Sequence, residues 1–152
     1  MKHLNEYLQG TRIQYDKGIL AENHLHENPL VQFENWMQEA IAAGVAEPNA
    51  MDLSTVQEGR PSSRIVLLKG VDHGGFVFYT NYDSRKGREM AESPFVCLNF
   101  FWTLQARQVR VEGRIGKVTP EESDAYFASR PRESQIGAWA SAQSTVIKSR
   151  AE

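Results

Sequence analysis

The spacing of the apolar residues changes at Met51, and that change decides most of what this chain can fold into. Before it, Leu30, Phe33, Trp36, Met37, Ala40 and Ile41 recur at helical intervals. Asn28-Pro29 reads as an N-cap followed by proline at the first helical position, and Gly44 as the stop. After Met51 the apolar residues come in short runs broken by turn residues. A first strand is expected over 51–56, with a turn at Glu58-Gly59-Arg60-Pro61. Residues 63–69 and 75–80 are expected to pair as a hairpin about His73 and the two glycines after it. A second hairpin joins 95–102 to 107–113, with 115–118 extending its second strand past a glycine kink. Ser84 can cap a helix over 85–92. Thr119-Pro120-Glu121-Glu122 has a capping threonine, a proline at the first position and a glutamate to complete a capping box, starting a helix that runs to about residue 129. Ser134 can cap a further segment through 142. Residues 1–27, polar and weakly patterned, read as an arm or a loosely attached helix. The expectation is a mainly β, α+β protein: an antiparallel sheet or barrel with flanking helices over 28–152, preceded by the arm.

Composition narrows the function more than the fold. With 152 residues, 41% of them apolar, the chain can bury one core of ordinary size. A net charge of −2 gives no general pull toward nucleic acid or an anionic membrane, so an anion site must be a local cluster. Cys97 is the only cysteine, which excludes an intrachain disulfide, and its apolar neighbours suggest a structural thiol in a strand. The N-terminus has no apolar leader, and no stretch approaches the roughly 20 apolar residues that cross a bilayer, so a cytoplasmic protein is expected. His24 and His26 have no acidic or cysteine partners nearby, and no metal site is expected.

Residues 64–86 carry the densest candidate chemistry. Arg64, Lys69, Arg85 and Lys86 stand with the hydroxyls of Tyr79, Thr80 and Ser84 in 23 residues, a composition suited to phosphate. Arg85 and Lys86 fall in the first turn of the helix capped by Ser84, where free N–H groups and the helix dipole favour an anion. Arg64 and Lys69 are five apart and point to opposite faces of a regular strand, so one site uses both only at a strand end, an edge or a subunit boundary. Taken singly, each cation also fits a solvated surface. Tyr126, Arg130, Arg132, Ser134 and Gln135 form a second polar cluster, readable as an anion site or as ordinary helix-end cations. Gln108 can offer an amide to a heterocycle edge or simply face solvent. No GxSxG elbow, P-loop, GxGxxG or nucleophile–base pair is present. Phosphate sites without a catalytic dyad suggest reactivity borrowed from a cofactor.

The segments RIVLLKG, FVFYTN, SRK, RQVRVEG and SRPRESQIGAWAS-x-QS, with R-x-x-Y at Arg12 to Tyr15, occur in the order and spacing of pyridoxamine 5′-phosphate oxidases, and the chain resembles that family over essentially its whole length. The resemblance implies an FMN-binding split β-barrel, a homodimer with FMN at the interface, and oxidation of pyridoxamine or pyridoxine 5′-phosphate to pyridoxal 5′-phosphate. Hydride passes to the flavin, and O2 reoxidises it with release of H2O2. By matching position, Arg64, Ile65, Val66, Leu67, Leu68, Lys69, Tyr79, Thr80, Arg85, Lys86, Gln108, Gln143 and Ser144 resemble the FMN contacts. Lys69, Tyr126, Arg130 and Ser134 resemble the grip on the substrate phosphate, and Arg12 and Tyr15 the arm over the substrate. Family members continue into a segment with W-x-G and R-L-H-D-R motifs, whose arginine and histidine sit over the substrate ring. Neither motif is in this sequence, so no catalytic residue is assigned, and the polar run at 144–152 reads as a cut inside a helix. Two other readings share the fold: a non-catalytic binder of FMN or pyridoxal phosphate, and a flavin reductase.

Overall fold

The computed structural model describes residues 2–12, 20–140 and 143–146. Helix α1 (Lys2–Gly10) is exposed over residues 3–10 and closes through Thr11, whose N–H and Oγ1 both donate to the Tyr7 carbonyl. A single 3-10 turn at Glu22–His24 leads to α2 (Pro29–Ala42). Asn28 caps α2 by accepting from the Leu30 N–H at 2.9 Å, and Gly44 leaves the helix at φ +74°. Of the expected stripe, Phe33 and Ala40 are fully buried, whereas Ile41 is exposed. Gln32 is buried beside them, its Oε1 taking the His26 N–H at 2.6 Å.

The main sheet has four antiparallel strands in the order β2-β1-β5-β6, formed by β1 (Ala50–Gln57), β2 (Arg60–Leu67), β5 (Phe95–Trp102) and β6 (Arg107–Arg114). Its inner face carries Met51, Leu53, Leu98, Phe100 and Trp102, which pack with Phe33, Ala40 and Leu68 into the core. The Phe33 ring lies 4.7 Å from Phe76 and 5.0 Å from Phe100, within the range where aromatic pairs attract beyond simple burial. The Trp102 indole N–H is satisfied by the Pro48 carbonyl at 2.8 Å. The turn between β1 and β2 is tighter than expected. Only Glu58 and Gly59 make it, both at positive φ as a two-residue hairpin turn requires, and Arg60 and Pro61 already belong to β2. Pro61 is tolerated because β2 is an edge strand.

The hairpin expected between 63–69 and 75–80 does not form. Residues up to Leu67 pair with β1 instead, and a separate short ribbon is made by β3 (Gly70–Asp72) and β4 (Gly75–Val77) about His73 and Gly74. The switch occurs within two residues: the Leu68 N–H donates to Asn49 in the main sheet, and the Lys69 N–H to Val77 in the ribbon, each at 2.8 Å.

Helix α3 (Arg85–Glu92) packs on β1. The expected strand extension over 115–118 is absent. Only the Ile115 N–H continues the pattern, to the Pro94 carbonyl at 2.7 Å. Thr119 caps α4 (Pro120–Ser129) through the Glu122 N–H, but Glu122 does not close a capping box: its carboxylate goes to His73 and Tyr79. Helix α5 (Arg132–Ala140) begins before Ser134, because the Gln135 N–H already reaches the Pro131 carbonyl at 3.1 Å. Among the described residues no helix is long and apolar enough to cross a membrane.

Candidate functional site

A buried carboxylate organises the cations. Glu89 is 1% exposed, on the face of α3 that meets β1 and β2. Its Oε2 accepts from Thr55 at 2.5 Å, Ser62 at 2.8 Å and the Arg64 Nη2 at 2.8 Å, and its Oε1 accepts from the Arg85 Nε at 2.7 Å. Burial alone would raise its pKa, but the bonds from Thr55, Ser62, Arg85 and Arg64 hold the acid at about 2. Arg64 reaches this carboxylate because it sits on the inner face of β2, opposite Leu53. Lys86 lies close by: burial lowers its pKa and the Arg64 charge lowers it further. Its Nζ donates to Gln143 at 2.6 Å.

Local sequence explains the placement. The Ser84 Oγ accepts from the Gly87 N–H, starting α3, and donates to the Asn81 carbonyl at 2.6 Å. Gly87 permits the helix to lie against the loop before it, since a Cβ there would stand 2.1 Å from the Tyr82 carbonyl oxygen. Arg64 and Arg85 therefore flank one negative charge, and with Lys86 near Arg64 the three cations leave an excess of two positive charges beside the first turn of α3. That donor set fits a doubly charged phosphate.

The other expected site residues divide between places. Val66 and Leu68 point into the core, whereas Ile65 and Leu67 are exposed on the outer face of the sheet. Lys69 is exposed at the start of the ribbon, and Thr80 is half-buried after it. Tyr79 and Tyr126 are brought together, their rings stacked at 3.7 Å and 4°. The Tyr79 hydroxyl donates to Glu122 at 3.2 Å, and burial, with that bond to Glu122, raises its pKa. Arg130 does not share a helix face with Tyr126: it ends α4 in an extended conformation, with its guanidinium over Phe127. Ser134 lies half-buried within α5, and Arg132 is exposed at its start. Gln135 spends its amide on the carbonyls of Ala128 and Arg130, fixing the α4–α5 corner. Gln108 lies on the outer face, donating to Asn99 at 2.7 Å, on the side of the sheet away from Arg64. Arg12 and Ser144 are exposed, and Tyr15 lies outside the described residues.

A cavity of about 1230 Å³ lies elsewhere. It is mainly apolar, lined by Phe33, Trp36, Val109 and Val111 among others, with His73 and Glu122 at its polar side. Arg64, Lys69, Arg85 and Lys86 do not line it, whereas Arg110, Arg114 and Lys117 do. Sequence reasoning missed Glu89, Thr55 and Ser62. The available signals were the four-residue spacing of Arg85 and Glu89 and the polar residues at inward strand positions.

Comparison with known proteins identifies the family. The family model described as pyridoxamine 5′-phosphate oxidase matches residues 37–152. The pyridoxine/pyridoxamine 5′-phosphate oxidase of Burkholderia thailandensis is 59% identical over 145 residues, covering 95% of this chain and 68% of that protein. The protein of the same name from Actinobacillus pleuropneumoniae is 52% identical, with 95% and 69% covered. The chain belongs to the pyridoxamine 5′-phosphate oxidase family. It is therefore a member of an oxidoreductase family. Among solved structures, PhzG of Burkholderia lata, in complex with tetrahydrophenazine-1-carboxylic acid, superposes with a TM-score of 0.83 at 28% identity, over 88% of this chain and 67% of that one. A pyridoxamine 5′-phosphate oxidase-related, FMN binding protein of Nostoc punctiforme has a TM-score of 0.58 at 16% identity, over 75% and 64%, which shows the shared fold alone. The sheet and its flanking helices are thus the oxidase family's split barrel, and the cation cluster sits where β2 meets α3 within it.

Proposed function

We propose that this chain binds FMN and the phosphate of pyridoxamine or pyridoxine 5′-phosphate, and that it carries out the oxidation to pyridoxal 5′-phosphate with O2 as acceptor and H2O2 as second product. The observation that carries the reading is the excess of two positive charges left by Arg64 and Arg85, paired with Glu89, and by Lys86 close to Arg64. When bound, FMN supplies the redox chemistry, accepting a hydride from the substrate and passing electrons to O2. The chain's residues supply anchoring. Arg64, Arg85 and Lys86 hold the FMN phosphate, together with Gln143, which accepts from Lys86, and Ser144. Lys69, Tyr126, Arg130 and Ser134 take the substrate phosphate, and Arg12 and Tyr15 cover the substrate.

A homodimer accounts for the position of Gln108. Arg64 and Gln108 lie on opposite faces of one sheet. A single ligand uses both only where two copies meet, and the outer face offers exposed Ile65, Phe95 and Phe101 for that contact. The setting is the formation of pyridoxal phosphate in the cytoplasm.

The test is to purify the chain, record its flavin spectrum and add pyridoxamine 5′-phosphate in air. Yellow protein that forms aldehyde and H2O2 is expected. Yellow protein that forms neither would make it a flavin binder, and protein that FMN cannot colour would overturn the proposal.

A further inference from the structure

We infer that Glu89 is a positioning residue for the cofactor phosphate: from beneath the cation cluster it fixes Arg64 and Arg85 relative to each other, so that the chain selects a phosphorylated flavin over the bare one. The inference rests on the FMN reading above and deepens it.

Arg64 and Arg85 come from different elements, an edge strand and a helix, and Glu89 is the group that touches both. Arg64 is restrained from behind at both terminal nitrogens. Nη1 donates to Thr55 at 2.6 Å and to the Leu53 carbonyl at 3.1 Å, and Nη2 to Ser62 at 2.6 Å and to Glu89. Among the described residues Arg85 is bound through Nε, and its side chain is 64% exposed, which leaves its terminal nitrogens for a ligand. An arginine pair held this way has given up its rotamer freedom before the ligand arrives, which is the condition under which a phosphate contact adds most to affinity.

Every group facing Glu89 is a donor: two hydroxyls and two guanidiniums. A carboxylate accepts on both oxygens. A glutamine has one accepting oxygen and an NH2, so in Glu89→Gln one of the two arginines faces a donor and must move. The side-chain volume hardly changes. The consequence falls on the phosphate grip, leaving contacts to the flavin ring as they were.

The experiment is a fluorescence titration of the full chain with FMN and with riboflavin, which lacks the phosphate. Wild type is expected to prefer FMN strongly. Glu89→Gln is expected to reduce that preference about 10-fold or more through lost FMN affinity alone, since hydrogen bonds to charged groups are at stake. Thr55→Val, which removes one hydroxyl bridging Glu89 and Arg64, is expected to shift the preference the same way by less, and decides the matter if Glu89→Gln does not fold. An unchanged ratio, or FMN and riboflavin weakened alike, overturns the inference and leaves Glu89 a structural residue. A wild-type protein that binds FMN no better than riboflavin overturns the FMN-phosphate reading itself, a separate result read before any variant is made.

Discussion

Glu89 stays ionised inside the protein because four donors meet it, and that fixes how stability should depend on acid. Its pKa falls from an ordinary 4.5 to about 2 on folding. The unfolded chain therefore binds a proton more readily than the folded one. The contribution is fully present above the unfolded value and is lost as pH falls from about 4.5 toward about 2. A difference of that size corresponds to about 3 kcal/mol at neutral pH. Denaturant melts at pH 7 and pH 3 should show the loss in wild type and a smaller one in Glu89→Gln. Equal losses in the two proteins would remove Glu89 as the cause. This residue was the hardest to read from sequence, since its four partners come from β1, β2 and α3 and no local pattern joins them. The place of Arg85 and Lys86 in a first helical turn was legible because their setting after Ser84 is local.

At the level of elements, the contact of α3 with the loop before it depends on one missing atom. Gly87→Ala places a methyl 2.1 Å from the Tyr82 carbonyl oxygen and 2.9 Å from that of Asn81. Backbone cannot yield as a flexible side chain can, so α3 must shift, at a cost of about 2–4 kcal/mol. A thermal melt should show it, and FMN affinity should fall with it because Arg85 and Lys86 ride on this helix. A variant as stable as wild type would contradict the packing described. The helix starts at Asn28, Ser84 and Thr119 were readable because a cap acts within three residues. The start at Ser134 misled for a tertiary reason, as the Gln135 side chain binds the end of α4 and α5 begins at Arg132. The pairing of residues 63–69 was equally beyond local reading. Alternation identifies a strand but not its partner, and the chain changes sheets between two adjacent amides at Leu68 and Lys69.

For the whole molecule, the antiparallel sheet with flanking helices was legible from the change of period at Met51. What pattern does not reveal is which face of the sheet a second copy would cover. Exposed Ile65, Phe95 and Phe101 share the outer face with the Gln108–Asn99 pair. If this face forms the dimer, Phe101→Glu should convert the protein to monomer in sedimentation and weaken FMN binding, because a charge would be buried without a partner. Unchanged mass would place the interface elsewhere. The proposed reaction is oxidation of a phosphorylated B6 substrate by a phosphate-anchored FMN in this chain. It is tested most directly by the reductive half-reaction alone, with FMN-loaded protein mixed under nitrogen with pyridoxamine 5′-phosphate. Loss of the flavin colour, with its return on admitting air, is the predicted result. Colour that persists with pyridoxamine 5′-phosphate but bleaches with NADPH would contradict the account and make the protein a reductase.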